Sequence, residues 1–286
     1  MGWAETDRRL TLAADCGLRG LTEPAAFESL ATYVELVPGA GNRFAGQFCI
    51  MSLVALLAGE PHSDAPATAS RLIRSFALTL NDSLPTLERQ RLKLFAPRIV
   101  GTNDGQDECR LSSMRRVLAE EILPRLVDDI FNDQLPLLLW AHPTVCFDGV
   151  MHSAAPYLLA FAYGARSAAD QSAVETIAEA VAKLLVYSAL LAPSSRITSR
   201  YVATAIDVLD RLCDIAEPTS PAACSRLHKV PPIPERCIMV NTAVAGRRLK
   251  SDRVQSPGLE FDDAAMGASP YRFRGPILYR SRCCHA

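Results

Sequence analysis

No stretch of the 286-residue chain runs to the ~18 consecutive apolar residues that a membrane-spanning helix requires. The segment Met1–Gly17 carries Glu5, Asp7, Arg8 and Arg9 and lacks the apolar run of a secretory leader, so none is expected. No CxxC pair occurs among Cys16, Cys49, Cys109, Cys146, Cys213, Cys224, Cys237, Cys283 and Cys284. Their odd number and wide scatter speak against a disulfide framework, and reduced thiols of a cytoplasmic protein are the expectation. Glycine-rich phosphate loops, a GxSxG elbow and a dinucleotide-binding fingerprint are all missing, which argues against nucleotide enzymology. Aromatic residues are scarce at 7%, whereas Ala and Leu abound, and this balance favours helix over sheet.

Net charge is also nearly absent, at −1, but its distribution is uneven. Residues 219–286 hold 11 Lys/Arg and 5 Asp/Glu, which leaves 19 basic and 26 acidic residues in 1–218. The body is therefore at −7 and the tail at +6. A basic tail on an acidic body suits either an anionic partner or contact with its own body.

Helical punctuation fills the first part of the chain. Thr22 and Pro24 open a helix through Phe27, Leu30, Tyr33 and Val34 that runs to Pro38-Gly39. A second, apolar nearly all round, is read from Arg43 through Phe44, Phe48, Met51 and Val54 to Gly59. Ser63 or Asp64 ahead of Pro66 is the expected cap of a third, with Leu72, Ile73, Phe76 and Leu80 as its stripe. Thr86 caps a fourth, through Leu87, Arg91, Leu92 and Phe95, which Pro97 ends. Leu111, Met114, Leu118, Ile122, Leu126 and Ile130 keep one face across Pro124, where a kink is expected. Leu135–Trp140 and Pro156–Tyr163 are read as short packed helices, followed by long ones over Ala168–Ala192 and Thr198–Ile215. No 20–50-residue period repeats, which excludes a solenoid.

Beyond Pro218 come seven prolines, short apolar clusters and scattered arginines without a sustained period. The reading is an all-α multi-helix bundle over residues 1–218 with a basic, Pro-rich, mostly irregular extension over 219–286.

Several motifs recur in a set order: Phe48-Cys49-Ile50-Met51, Gly59-Glu60-Pro61-His62-Ser63-Asp64, Asn81-Asp82 with Leu84-Pro85, Glu88-Arg89-Gln90-Arg91-Leu92, and Pro97-Arg98-Ile99-Val100-Gly101-Thr102. With Arg115-Arg116 and the ending Asp207–Cys213, this order resembles a family of uncharacterised helical proteins widespread in bacteria. The resemblance implies a fold without an activity. Such proteins often carry Asp-His-Pro-x-Cys-x-Cys, where this chain has Ala65, Thr68 and Ser70 at the His and Cys positions, so no thiol or metal role carries over.

Glu60, His62 and Asp64 alternate in a loop, a pattern that suits a divalent metal or acid/base work, although Asp64 also suits a helix cap. Asn81-Asp82 fits capping at a helix end, or a polar cluster in which Asp82 pairs with Arg89, Arg91 or Arg115. His142 and His152 flank Cys146 and Asp148 at no established spacing, and Pro143 and Gly149 read as loop. Cys283-Cys284-His285 cannot complete a tetrahedral site alone. In the tail, Arg247-Arg248, Lys250 and Arg253 precede Tyr271-Arg272-Phe273-Arg274 and Tyr279-Arg280, interleaving that nucleic-acid-binding tails share with solvated ones. The functional expectation is a non-enzymatic binding or accessory protein with no cofactor, bound metal or membrane, whose partner is another protein. The alternatives are a metal-dependent enzyme using the Glu60/His62/Asp64 loop, and nucleic-acid binding by the tail.

Overall fold

A computed structural model describes residues 24–136, 144–147, 150–163, 171–215, 232–237 and 239. Their architecture is the all-α multi-helix arrangement expected. In chain order the elements are α1 (Pro24–Ala31), β1 (Glu35–Leu36), a 3-10 turn (Arg43–Ala45), β2 (Gln47–Phe48), α2 (Ile50–Ala58) and α3 (Arg71–Ser83). Next are α4 (Thr86–Gln90), a 3-10 stretch (Arg91–Phe95), α5 (Ala96–Ile99), α6 (Asp107–Val117), a π turn (Leu118–Ile122) and α7 (Leu123–Phe131). β3 (Thr144–Phe147), β4 (Val150–Ser153), α8 (Ala154–Tyr163), α9 (Gln171–Leu190) and α10 (Ser195–Cys213) complete the set.

The centre is α9, which packs along α3 and α10. Leu72, Ile73, Phe76 and Leu80 of α3 are wholly buried, the stripe the sequence shows. Each such side chain contributes roughly 1.5–3 kcal/mol of transfer free energy. α2 is buried on nearly every side, and Val202, Leu209 and Leu212 of α10 face the same interior.

Pro124 shapes the α6–α7 junction through a π turn. The missing proline N–H removes the donor for the Glu120 carbonyl, and the Leu123 N–H reaches back to the Leu118 carbonyl instead. The apolar face is unbroken, because Leu118, Ile122 and Leu126 all stay buried.

Local boundaries differ from the sequence reading in several places. The helix read from Arg43 begins only at Ile50, and Phe44 stands 78% exposed in the preceding 3-10 turn. Leu36 and Phe48 instead belong to a two-residue parallel pair, β1 with β2. Ser70, not Ser63 or Asp64, caps α3, accepting from the Ile73 N–H. Thr86 lies inside α4, which has no side-chain cap, and Pro97 sits near the start of α5 instead of ending a helix. The segment around Cys146, read as a loop, contains the antiparallel pair β3–β4 with Cys146 opposite Met151 and Val145 opposite His152. Such short pairings leave almost no period in a sequence.

α8 agrees with the helix read over Pro156–Tyr163, whereas Leu137–Trp140, His142 and Asp148 lie outside the described residues. So does most of 219–286, including Cys283, Cys284, His285 and the arginine–aromatic run. Within that range Glu235, Arg236 and Cys237 form a helical turn.

Candidate functional site

The best-defined polar cluster binds the chain between β1 and α2 to α3 and α4. Asn81, in the last turn of α3, is completely buried. Its Oδ1 accepts from the Ile50 N–H at 3.2 Å, and its Nδ2 donates to the Val37 carbonyl at 2.8 Å and to Asp82 Oδ1 at 3.0 Å. It thereby satisfies a free amide at the start of a neighbouring helix. Asp82 Oδ1 accepts from the Gly39 N–H at 2.9 Å.

Arg89 completes this corner from α4. Its Nε donates to the Asn81 carbonyl at 2.5 Å and its Nη2 to the Leu84 carbonyl at 2.7 Å, covering acceptors left free where α3 ends. Burial lowers its pKa, against the pull of the Asp82 and Glu35 charges. Gln90, part of the Glu88–Leu92 motif but not among the candidate site residues, donates to the Leu36 carbonyl at 2.9 Å and accepts from the Leu36 N–H at 3.0 Å. Its amide pairs with β1 as another strand would.

Cys49 and Ser52 close the same corner. The Cys49 N–H donates to Ser52 Oγ at 2.8 Å, the Ser52 N–H to Cys49 Sγ at 3.2 Å, and the hydroxyl reaches the Ala40 carbonyl at 3.1 Å. Burial pushes the Cys49 thiol above its ordinary range, the opposite of what an activated nucleophile needs. Gly41 admits the close approach of β2: at φ +77°, an added Cβ would lie 2.4 Å from the Gln47 carbonyl oxygen.

Glu60 follows α2, and both of its carboxylate oxygens are engaged by main chain. They accept from the Ala67 N–H at 2.6 Å and the Thr68 N–H at 2.9 Å, which ties the loop leading to α3. His62 meets the Phe48 ring edge-on at 5.7 Å between centroids, and the Asp64 charge is felt at Cys49. His62 and Asn81 thus both reach the Phe48–Ile50 stretch. Arg91 instead pairs with Glu88 at 2.8 Å, and Arg115 donates to the Ala162 carbonyl of α8 at 3.3 Å. The sequence-nominated set is therefore divided: Asn81, Asp82 and Arg89 come together, Glu60 and His62 order the adjoining loop, and Arg91 and Arg115 have other partners.

A second cluster, unmarked in the sequence reading, centres on Arg110 of α6, which is completely buried. It donates to both Asp104 oxygens at 2.7 Å, to the Thr102 carbonyl at 2.9 Å, to Leu212 at 3.2 Å and to Ile215 at 2.6 Å. Asp107 receives Nη1 at 3.4 Å and also takes the Ser70 hydroxyl. Burial alone would raise the Asp104 carboxyl, but the Arg110 hydrogen bond and charge outweigh it and hold its pKa below the ordinary value. Thr68 and Ser70 are used here as hydroxyls, accepting from the Gly101 and Ile73 N–H groups.

Tyr201 of α10 donates to Asp129 Oδ2 at 2.6 Å, and Arg200 meets the same oxygen. Burial, then that carboxylate, raises the phenol pKa. Cys49, Cys213 and Cys237 are free and buried, but Cys109 is disulfide-bonded, which corrects the expectation that every thiol is reduced. Sequence spacing does not report which sulfurs a fold brings together. Among the described residues no three His, Cys, Asp or Glu side chains gather where one metal ion would be held, and no helix is long and apolar enough to cross a membrane.

Comparison with known protein families, with curated proteins and with solved structures finds no match to this chain. The family resemblance read from the ordered motifs between Phe48 and Thr102 is therefore supported by no family model.

Proposed function

We propose that this chain is a non-enzymatic helical binding or accessory protein of the bacterial cytoplasm. One observation carries the reading: the side chains at the Asn81 corner bind main-chain amides and carbonyls of neighbouring segments. Asn81, Arg89 and Glu60 hold segments in place, and chemistry on a substrate would need those same donors and acceptors. Exposed apolar residues give a protein partner something to cover, since Leu87 and Leu94 stand 84% and 68% exposed on the α4 and 3-10 run.

The experiment is metal content together with native size. Purified chain is expected to carry no stoichiometric divalent ion; one that is lost in His62→Ala favours the metal-dependent enzyme instead. In extracts of the source cells a binding protein migrates above its own 31.1 kDa. Leu87→Asp with Leu94→Asp is expected to return it to that size, and wild-type migration as the isolated chain contradicts the reading. Cytoplasmic placement is tested by cell fractionation: recovery of the chain outside the cytoplasmic fraction contradicts it.

A further inference from the structure

Among the described residues, the acidic body contacts its own C-terminal region at residues 232–237. Pro232-Ile233-Pro234-Glu235-Arg236-Cys237 lies against α7 and α8 through three anchors. Arg236 Nη1 donates to Asp128 Oδ1 at 2.6 Å. The same guanidinium lies 5.9 Å from the centroid of the Phe131 ring. Cys237 is completely buried, belongs to the hydrophobic core cluster and places its thiol in hydrogen-bonding contact with the Tyr163 side chain. The Tyr163 hydroxyl donates to the Ala119 carbonyl of the π turn at 2.8 Å, which fixes the far wall.

Among the described residues this contact is narrow. The Arg236 and Asp128 side chains are 61% and 52% exposed, and Ile233 and Met239 on either side of the buried cysteine are 44% and 51% exposed. An ion pair that wet is weak, and one small buried side chain adds little area, so the segment can open while the helices stay folded. Pro232 and Pro234 restrict the free segment, which lowers the entropy lost on docking. Charge, ring and pocket together read a short sequence: an arginine followed by a small thiol or apolar residue.

We propose that the surface formed by Asp128, Phe131 and Tyr163 is a recognition site for an arginine-bearing peptide segment, and that residues 232–237 occupy it in cis as a releasable latch. The occupant is this chain's own segment, and a partner reaching the site must displace it with the same chemistry. Release makes Cys237 a reporter. Docked, burial pushes its thiol up to about 11, and undocked it regains ordinary reactivity. The inference is independent of the Leu87–Leu94 face, because the two surfaces share no residue.

The test uses the full-length chain and a fluorescent peptide of residues 231–240. Arg236→Glu loosens the resident segment, so this variant is expected to bind the peptide at least about fivefold more tightly than wild type. Asp128→Arg is expected to lose the wild-type peptide and to gain one carrying the Arg236→Glu change. Cys237 alkylation, followed by mass spectrometry, is expected to quicken about three- to tenfold in Arg236→Glu and to return toward wild type in the Asp128→Arg/Arg236→Glu double variant. Equal peptide affinity in wild type and Arg236→Glu, no binding to either, or unchanged Cys237 alkylation overturns the proposal. Fast alkylation that persists in the double variant also does, because it makes the effect one of damage instead of pairing.

Discussion

Arg110 shows how a buried charge becomes tolerable: two carboxylates and three main-chain carbonyls surround its guanidinium. Removing it as Arg110→Met leaves Asp104, Asp107 and the carbonyls closing α10 without their donor, and is expected to cost about 3–5 kcal/mol in urea unfolding. Arg110→Lys should recover little of this, because a single ammonium cannot reproduce the planar fork. Asp104 adds a pH signature. Its folded pKa lies below its ordinary 3.8, so the stability it contributes is present above that value and lost as pH falls through the folded value. Arg110→Met should therefore flatten the acid limb of a stability–pH profile. Cys213 acts at the other end. Burial raises its thiol from 9.0 to about 12, so stability should fall as pH climbs through that interval, and less steeply in Cys213→Ala.

At the scale of elements, long periodic helices were legible and junctions were not. The α3 stripe and the α6–α7 face are written in apolar spacing, and burial follows that spacing residue by residue. The β1–β2 pair was not legible, because Gln90 and Asn81 from elsewhere in the chain satisfy its surroundings. A kink is the sequence expectation at Pro124, and the helix there accommodates the missing donor by widening into a π turn. Among the described glycines, Gly41 leaves the least room for a side chain. Gly41→Ala puts a methyl group against Gln47 in a left-handed conformation and is expected to destabilise by more than about 1 kcal/mol, read as a lowered urea midpoint.

For the molecule as a whole, the described helices from α1 to α10, α4 excepted, contribute to one hydrophobic cluster, which Cys237 from beyond Pro218 also joins. Fold class was thus readable from composition and period. Of the candidate site, Asn81, Asp82 and Arg89 lie close together, but apart from the Asn81–Asp82 bond their partners are main-chain groups that no side-chain motif encodes. Arg110 carries no sequence signal because a lone arginine in a polar stretch looks solvated until the Leu212 and Ile215 carbonyls at the end of α10 arrive from about a hundred residues away. This polar corner is expected to hold the fold together. Groups kept for chemistry are often strained, and replacing them commonly leaves stability unchanged or raised, whereas groups kept for structure are destabilising to lose. Urea unfolding of Asn81→Ala and Glu60→Gln decides between these: the account predicts that each loses about 1–3 kcal/mol, and midpoints equal to or above wild type would contradict it.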